Sequence, residues 1–244
     1  MPSVYAACPS TRDFSVQYVE SLFLTRYPGP MAWSALLNQD IQTARNLICE
    51  RFLKSGMDFL LMHDSDATWH PDAIARLVSR NLPAVTGMIF MRRIPPIPSV
   101  GQHTAIYADG SHIYSFGETV NRLLAMNKAG RFNDCSRNEI LFDPRADDLQ
   151  EIDGAGAHFM LIRRDVIEKI GSPWYVCTEH NSGEDFDFCR RAQAAGFKLY
   201  ADWSVFTGHV AGPGITLGVR EFLACWAEQV DIPWTSMKGV SWTA

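Results

Sequence analysis

The sequence predicts an α/β fold in a single domain, with a mixed sheet flanked by helices. Three observations support this class. Short apolar runs alternate with helical patterns over the first 90 residues, as in strand–helix–strand units. The chain has 244 residues, 47% of them hydrophobic and 20% charged, which is ordinary for a globular domain with a sizeable core. It contains no internal repeat and no low-complexity segment that would indicate another architecture.

The elements of the first half follow from apolar runs and from the residues that interrupt them. Apolar runs too short for a helix predict buried strands, and apolar residues three or four apart predict helices. In chain order we expect a strand over 4–7, helices over 14–24 and 39–54, a strand over 58–62, a helix over 70–80 and a strand over 84–90. Cys8-Pro9-Ser10 should end the first strand, Asn38 should cap the second helix and Gly56 should stop it.

The sequence is less regular between residues 91 and 150. Prolines interrupt this region, and a hairpin is expected over 106–114 around Asp109-Gly110. Order is predicted to return with a strand over 154–162, a helix over 164–170, a helix from 184 to 196, a strand over 198–202 and a helix over 218–229. We therefore divide the chain into a domain over 1–212, with a variable insertion over 91–150, and a C-terminal helical tail over 213–244. Core packing is expected for the tail residues Trp226, Trp234 and Trp242, with a cover over an acceptor cleft or a dimer face as alternatives.

The composition constrains the partners and the compartment. The formal net charge is −5, from 22 basic and 27 acidic residues, which argues against a broad electrostatic surface for nucleic acid. The six cysteines form no Cys-x-x-Cys unit and show no zinc-ligand spacing. Because the N-terminus has no signal-peptide pattern and no apolar window is long enough for a membrane span, we expect free thiols in a cytoplasmic protein. The sequence carries no signal for oligomeric state.

An acidic turn, Asp64-Ser65-Asp66, follows the central predicted strand. In open α/β sheets, ligands bind beyond the carboxyl ends of the strands. Two neighbouring carboxylates are costly to bury together unless a cation neutralises them. Oxygen ligands suit Mg²⁺ or Mn²⁺, so the turn predicts a divalent-cation site. The alternative is a solvated turn that caps the helix beginning at Pro71.

A second acidic segment, Gly183-Glu184-Asp185, stands at the predicted start of a helix. One interpretation is helix capping by Ser182, with Asp185 favoured by the helix dipole. The other makes Asp185 a general base that removes the proton of an attacking hydroxyl. The glycine before the acids would let the backbone approach a ligand closely, which capping does not explain. His209, after Gly208, is a structural histidine unless a distant segment completes a metal site around it.

In combination, these segments resemble GT-A glycosyltransferases of the family-2 and galactosyltransferase-like kinds, which have a Rossmann-like nucleotide-binding mixed sheet. The resemblance covers roughly residues 4 to 210, with the motifs in the family's order. They are Thr43–Asn46 (an ARN helix start), Phe59–Asp66 (the strand and DxD motif), Asp153–Asp165 (the glycine-rich strand and helix), Gly183–Ala192 (the ED motif) and Gly208-His209 (the C-terminal metal histidine). Several motifs in order are far more specific than any one of them.

The resemblance implies a metal-dependent, inverting transfer of a sugar from a nucleoside diphosphate, with UDP as the expected nucleotide, to an acceptor hydroxyl. It implies Mn²⁺ or Mg²⁺ bound by Asp66 and His209, with Asp64 facing the ribose or completing the metal site through bound water. Asp185 would be the base, and Glu184 would bind sugar or acceptor hydroxyls. The donor would contact Pro9, Ser10, Thr11 and Arg12 at the base, Arg45 and Ser65 at the nucleotide, and Gly154, Ala155 and Gly156 at the sugar.

Two departures from the family pattern leave the substrate open. His158 stands where many relatives carry a small or apolar residue, and the segment from Arg92 to Asp148 has no counterpart, so acceptor choice is expected there. Arg92 and Arg93 belong to this segment, and two interpretations are open: they bind a phosphate, or they are solvated surface residues. The acceptor is a glycan or lipid-linked sugar or, alternatively, a hydroxymethylated DNA base, which must be flipped out of the duplex. A nucleotidyltransferase or a non-catalytic sugar-binding module would share parts of the pattern.

Overall fold

The computed structural model describes residues 1–10, 13–93, 96–106, 112–132, 149–177, 183–212 and 215–226. Within these ranges the chain forms seven helices and twelve strands. The helices are α1 (Val16–Leu24), α2 (Ile41–Ser55), α3 (Ala73–Arg80), α4 (Gly117–Lys128), α5 (Arg164–Ile170), α6 (Glu184–Ala194) and α7 (Val219–Trp226). The strands are β1 (Val4–Ser10), β2 (Met31–Leu37), β3 (Phe59–His63), β4 (Ala67–Trp69), β5 (Ala84–Met88), β6 (Val100–Ile106), β7 (His112–Ser115), β8 (Leu149–Ile152), β9 (Gly154–Ala155), β10 (Phe159–Arg163), β11 (Leu199–Gly212) and β12 (Ile215–Leu217).

The predicted α/β class is confirmed by a mixed, largely parallel sheet of Rossmann-like form. Its strands lie in the order β2-β1-β3-β10-β5-β11-β12, and β4 and β8 also pair with β11. β10 runs antiparallel between β3 and β5, whereas β2, β1 and β3 are parallel to one another and β11 is parallel to β5. The carboxyl ends of the parallel strands therefore meet at one edge of the sheet, where open α/β proteins bind ligands.

Alternating side chains of the central strands enter two apolar layers. Leu60 and Met62 of β3 face a layer that contains side chains of α2, α4, α5, α6 and α7. Phe59 and Leu61 face the other layer, which contains side chains of α1 and α3. A parallel strand buried on both faces is expected to be apolar throughout, which explains why residues 59–62 show no polar alternation.

Two local expectations are wrong. β1 does not end at residue 7 but continues through Pro9 to Ser10, paired with β2. Proline has no N–H to donate, but the pairing of β1 with β3 already ends at Ala7, so Pro9 costs the sheet no hydrogen bond. Helix α2 is capped by Asp40, whose carboxylate accepts the N–H of Thr43 at 2.9 Å, and not by Asn38. In addition, the sequence pattern does not predict β2, β4, β8, β12 or α4, and the strand expected over 154–162 is divided into β9 and β10.

The described part of the insertion over 91–150 is more regular than expected. β6 and β7 form the predicted hairpin, and β6 also pairs with β9. Asp109 and Gly110, the expected turn, lie outside the described residues. Helix α4 follows, with the Thr119 hydroxyl donating to the Val100 carbonyl at 2.9 Å. The insertion thus contributes two strands, β6 and β7, to a three-stranded sheet whose third strand is β9 of the glycine-rich segment.

The start of the tail packs on the domain. β12 pairs with β11, and α7 follows it. The indole of Trp226 donates to the Pro96 carbonyl at 2.7 Å and is buried, so this tryptophan belongs to the core. Trp234 and Trp242 lie outside the described residues.

Free thiols were expected for the cysteines, and no membrane-spanning helix was expected. The cysteines at 8, 49, 177, 189 and 225 are free thiols, and those at 8, 49 and 189 are buried. Cys135 lies outside the described residues. In the ranges that the structure covers, every helix is too short or too polar to cross a bilayer.

Candidate functional site

The candidate site lies at the carboxyl edge of the central sheet, where β3 ends. The turn Asp64-Ser65-Asp66 leads from β3 into β4, and the Asp64 N–H donates to the His158 carbonyl at 3.0 Å. The side chains of Asp64 and Asp66 are 27% and 25% exposed, and Ser65 between them is half-buried. The turn therefore presents two acids outward from a strand that is otherwise buried.

Strand β4 explains how His209 reaches this turn. β4 pairs antiparallel with β11, and His209 lies opposite Ala67, the residue after Asp66. The Val210 N–H donates to the Asp66 carbonyl at 2.8 Å, which fixes the two segments side by side. His209 Nε2 lies 3.2 Å from Asp66 Oδ2, and its Nδ1 lies 3.0 Å from the Phe90 carbonyl. These two distant segments, expected to converge, are in contact.

A second histidine, His158, enters the site beside β10. β10 runs antiparallel to β3 with Phe159 opposite His63, so the residue that precedes β10 lies beside the end of β3. His158 Nδ1 lies 3.1 Å from Asp64 Oδ2 and 3.6 Å from Asp66 Oδ1. In the sequence, His158 is only a departure from a family pattern. A histidine beside a glycine-rich segment is a visible signal, but the antiparallel pairing that brings it to the acids is not.

Asp66, His158 and His209 have the arrangement of a metal site. One ligand atom of each lies within 4.8 Å of the others, and the two imidazole rings have centroids 4.3 Å apart. His158 is 5% exposed, and its Nε2 is buried with no hydrogen-bond partner among the described residues. Buried imidazole nitrogens are normally satisfied, so this set of one oxygen and two nitrogen donors fits a divalent cation. Asp64 lies beside the triad, in contact with one of its histidines.

Arg45 connects the two acidic segments. It belongs to the first turns of α2, is 3% exposed, and its guanidinium stands 5.6 Å from the centre of the Tyr175 ring. One amino group donates to Asp64 Oδ1 at 3.2 Å and the other to Glu184 Oε1 at 2.5 Å. The acidic turn after β3 and the start of α6 are therefore held on two sides of one buried cation. The sequence suggested that Arg45 supports the nucleotide, and in the fold its guanidinium is paired with two carboxylates.

The acids and histidines of the site have perturbed pKa values. Burial opposes ionisation of Asp64, but Arg45 and the hydrogen bond with His158 outweigh it and hold the pKa of this carboxyl well below its usual range. Burial also opposes ionisation of Asp66, yet the hydrogen bond with His209 lowers the pKa of this acid. Burial and the charge of His209 lower the pKa of His158. Burial acts on His209 as well, but the hydrogen bond to Asp66 raises its pKa. Both carboxylates are thus ionised at neutral pH and available to a cation.

Asp185 occupies the second position of α6, beside the glycine-rich segment. Its Oδ1 accepts the N–H of Phe186 at 2.9 Å. A Cβ atom at Gly156 would lie 3.4 Å from Asp185 Oδ2, so the glycine keeps the space next to this carboxyl open. Burial raises the pKa of Asp185 to about 6, with Arg45 opposing the rise and Glu184 adding to it. A carboxyl with this pKa is suited to accept a proton near neutral pH.

Capping accounts for only one of the two acids at the start of α6. The N-cap position is occupied by Gly183 with φ 118°, a conformation that glycine adopts without strain. Ser182, the expected cap, lies outside the described residues. Asp185 accepts an N–H of the first turn, whereas Glu184 pairs with Arg45. Helix capping therefore explains part of the role of Asp185 and does not explain Glu184.

The remaining residues expected to bind the donor lie along the same edge where the structure describes them. Pro9 and Ser10 end β1, next to the end of β3, and both are buried. Thr11 and Arg12 lie outside the described residues. The segment Gly154–Gly156 packs against the first turn of α6, which places the expected sugar wall beside the expected base.

Ser99 is a further polar residue beside Gly156 that the sequence does not mark. Its hydroxyl oxygen lies 3.2 Å from the position of a Cβ atom on Gly156, and it is buried with no hydrogen-bond partner in the part of the chain that the structure describes. The Gly156 N–H donates to the Ser99 carbonyl at 3.0 Å. No motif identifies this serine, because a tertiary contact positions it. Ser99 therefore places an unpaired hydroxyl next to Gly156, the glycine that also borders Asp185.

Comparison with known proteins gives information about the fold alone. No protein-family model matches the sequence, and no curated protein matches it significantly. Among solved structures, the chain is similar to A197 from STIV, with a TM-score of 0.53, 16% sequence identity, and coverage of 91% of this chain and 92% of that chain. A likeness at this identity supports the Rossmann-like α/β fold, and the chemistry has to be inferred from the site.

Proposed function

We propose that this protein is a metal-dependent glycosyltransferase of the GT-A type that moves a sugar from a nucleoside diphosphate to an acceptor hydroxyl with inversion. The observation that carries the proposal is the convergence of three distant segments at one edge of the sheet. The residues concerned are Asp64, Asp66, Glu184, Asp185 and His209. Arg45 pairs with both Asp64 and Glu184, His209 contacts Asp66, and Asp185 is the residue after Glu184. The resemblance to one family names all of these residues as functional. If the short motifs matched that family by chance, there would be no reason for them to come together in the fold.

The triad would hold the diphosphate of the donor through a cation. Asp66, His158 and His209 supply one carboxylate and two imidazoles, and imidazole ligands favour Mn²⁺ over Mg²⁺, which prefers an all-oxygen shell. When bound, such a cation neutralises the charge that develops on the leaving diphosphate. Asp64, paired with Arg45, would orient His158 through their hydrogen bond.

Asp185 would act as the general base. As the acceptor oxygen forms its bond to the anomeric carbon and the bond to the diphosphate breaks on the opposite face, the hydroxyl proton passes to Asp185. Its raised pKa, about 6, leaves it ionised at neutral pH and still basic enough for this role. Glu184, fixed by Arg45, and the unpaired hydroxyl of Ser99 would bind sugar hydroxyls in the same pocket.

A thermal-shift screen of nucleoside diphosphates and their sugars, each with and without Mn²⁺, tests the proposal. We expect one nucleotide, UDP by the resemblance, to raise the melting temperature only when Mn²⁺ is present. Asp66→Ala should lose this stabilisation, since it removes the carboxylate of the triad. Asp165→Ala is a matched control, because Asp165 pairs with Arg163 at the opposite edge of the sheet. Equal stabilisation of Asp66→Ala and the wild type would refute the metal assignment.

The ligand set also supports a second candidate function. One carboxylate and two histidines with open coordination positions bind Fe²⁺ in non-haem oxygenases. Stabilisation by Fe²⁺ under anaerobic conditions without any nucleotide, followed by oxygen uptake, would favour that function. We prefer glycosyl transfer because an oxygenase triad gives no reason for Arg45 to hold a second acidic segment, Glu184 and Asp185, beside it.

The acceptor is proposed to be a glycan or a lipid-linked sugar. The net charge of −5 favours this class over a hydroxymethylated base in duplex DNA, because phosphate contacts require lysine and arginine. Transfer assays with oligosaccharides and with hydroxymethylated DNA, using the donor found in the screen, separate the two. Pyrophosphorolysis of a nucleotide sugar without an acceptor would instead indicate a nucleotidyltransferase, and donor binding that ignores Mn²⁺ would indicate a non-catalytic module.

A further inference from the structure

Arg92 enters the candidate metal site from the insertion. Its Nη1 lies 2.9 Å from Asp66 Oδ2, the same oxygen that faces His209 Nε2 at 3.2 Å. The side chain of Arg92 is 57% exposed and belongs to the segment that follows β5. It differs from Arg45, whose side chain is only 4% exposed and is held by two carboxylates. Arg92 is therefore an exposed cation that pairs with Asp66, the one carboxylate of the triad.

A divalent cation would compete with Arg92 for Asp66. Two positive charges that share one carboxylate oxygen repel each other strongly at such a short separation. The pair with Arg92 is exposed and contributes little, whereas a cation in the triad gains three ligands at once. Cation binding should therefore move the guanidinium away from Asp66 and leave it beside a doubly charged ion without its acid partner.

A diphosphate would satisfy both positive groups. It presents several oxygen atoms, so one can bind the cation while another accepts hydrogen bonds from the guanidinium. The planar fork of arginine matches phosphate oxygens, and such charge-assisted hydrogen bonds are among the strong ones. An arginine displaced from Asp66 is thus close to where the diphosphate of a metal-bound donor would lie.

We propose that Arg92 has two partners in succession: Asp66 before the cation binds, and a diphosphate afterwards. Arg92 weakens binding of the cation alone and strengthens binding of the diphosphate once the cation is present, so the site favours both together. This inference rests on the proposed function, because it needs a cation in the triad and a diphosphate ligand.

The two roles predict opposite effects of a single substitution. Arg92→Gln removes a competing positive charge, so Mn²⁺ alone should bind about 2- to 5-fold more tightly, as expected for an exposed ion pair. The same substitution removes a charge-assisted contact, so inorganic pyrophosphate should bind about tenfold more weakly at saturating Mn²⁺. A residue that only stabilises the loop would not change the two affinities in opposite directions.

The experiment uses the full chain. Electron paramagnetic resonance of free Mn²⁺ measures the first affinity, and calorimetry with pyrophosphate in excess Mn²⁺ measures the second. Arg93→Gln is the matched control, since it removes the same charge from the next residue of the segment. Arg92→Lys keeps the charge without the planar fork and should bind pyrophosphate with intermediate affinity. Thermal melting without Mn²⁺ verifies that each variant is folded.

Each outcome decides the role of Arg92. Opposite shifts in Arg92→Gln, with Arg93→Gln unchanged, support the proposal. Shifts in the same direction, no shift in either affinity, or equal shifts in Arg93→Gln overturn it. If the wild type binds Mn²⁺ and pyrophosphate and Arg92→Gln matches it, the proposed function stands without this role for Arg92. If the wild type binds neither, the proposed function and this inference fail together.

Discussion

Two clusters of acids and arginines in this molecule differ in how completely their atoms are paired. Asp202 is fully buried in β11, and its carboxylate accepts hydrogen bonds from Arg80 and from the Ser204 N–H and hydroxyl. Arg76 lies 3.7 Å from the same carboxylate. Asp66, in contrast, is a quarter exposed and shares a single oxygen between an exposed arginine and a histidine.

The comparison separates a structural ion cluster from a candidate site. Both carboxylate oxygens of Asp202 are bonded by neighbouring groups of the chain, so nothing remains for a ligand. At the sheet edge, the Nε2 atom of His158 and the hydroxyl of Ser99 are buried and unpaired within the described residues. What distinguishes the site is the combination of such unpaired polar atoms with partly exposed carboxylates that a ligand could reach.

The largest effect is expected from a substitution that breaks the structural ion cluster around Asp202. Asp202→Asn should lower the free energy of unfolding by about 3 kcal/mol, because it leaves Arg80 and Arg76 beside an uncharged group, while Mn²⁺ affinity is unchanged. Asp66→Asn should do the reverse, with a change in stability within about 0.5 kcal/mol and loss of Mn²⁺ binding. Urea unfolding and Mn²⁺ titration measure the two quantities. Equal losses of stability would show that the two clusters have the same role.

The next effect concerns the proposed base. Asp185→Asn should leave donor binding intact and lower the rate of transfer by ~10²-fold or more, the usual contribution of general base catalysis. Asp187→Asn is the control in the same helix, because Asp187 is buried and paired with Arg190 and Arg191, and it should affect stability instead. Near-normal turnover of Asp185→Asn would remove this residue from the mechanism.

The pH dependence of transfer follows from the same carboxyl. The base must be ionised to take a proton, and the pKa of Asp185 is about 6, so the rate should be level above that pH and fall as the pH drops through it. Below pH 6 we expect about a tenfold decrease per pH unit. Turnover measured over a range of pH checks this prediction. Donor and Mn²⁺ are kept saturating because protonation of His158 and His209 would otherwise limit cation binding. A profile that stays flat to pH 5 contradicts the assignment.

The smallest effect is expected from Gly156→Ala, which fills the open space beside Asp185. A Cβ at Gly156 would lie 3.2 Å from the Ser99 hydroxyl oxygen and 3.4 Å from Asp185 Oδ2, so Gly156→Ala should shift these groups slightly. We expect a several-fold lower turnover and a loss of stability of about 1 kcal/mol. Gly212→Ala is the control, since no atom lies within 4 Å of a Cβ there. Identical kinetics in the two variants would mean that this space is not part of the reaction.

Local sequence patterns predicted much of the fold. The strand over 58–62 and the helices over 164–170 and from 184 follow from apolar runs, helical spacing and a glycine, and the structure has them within a residue or two. The pattern missed β4 because three residues are too few to show a period. It missed β2 because an edge strand has no strict alternation to reveal it. These strands are defined by the partners with which they pair.

By itself, the sequence determined the α/β class and the segments from which the site is built, because periodicity, glycines and acidic turns are local properties. Only the tertiary structure decided which of these residues touch. The register of β4 against β11 places His209 at Asp66, and the antiparallel register of β10 against β3 places His158 there. Long-range strand pairings decide which polar atoms are buried and which of them find a partner. A local sequence pattern does not contain this information, so it could not show the unpaired atoms of the candidate site.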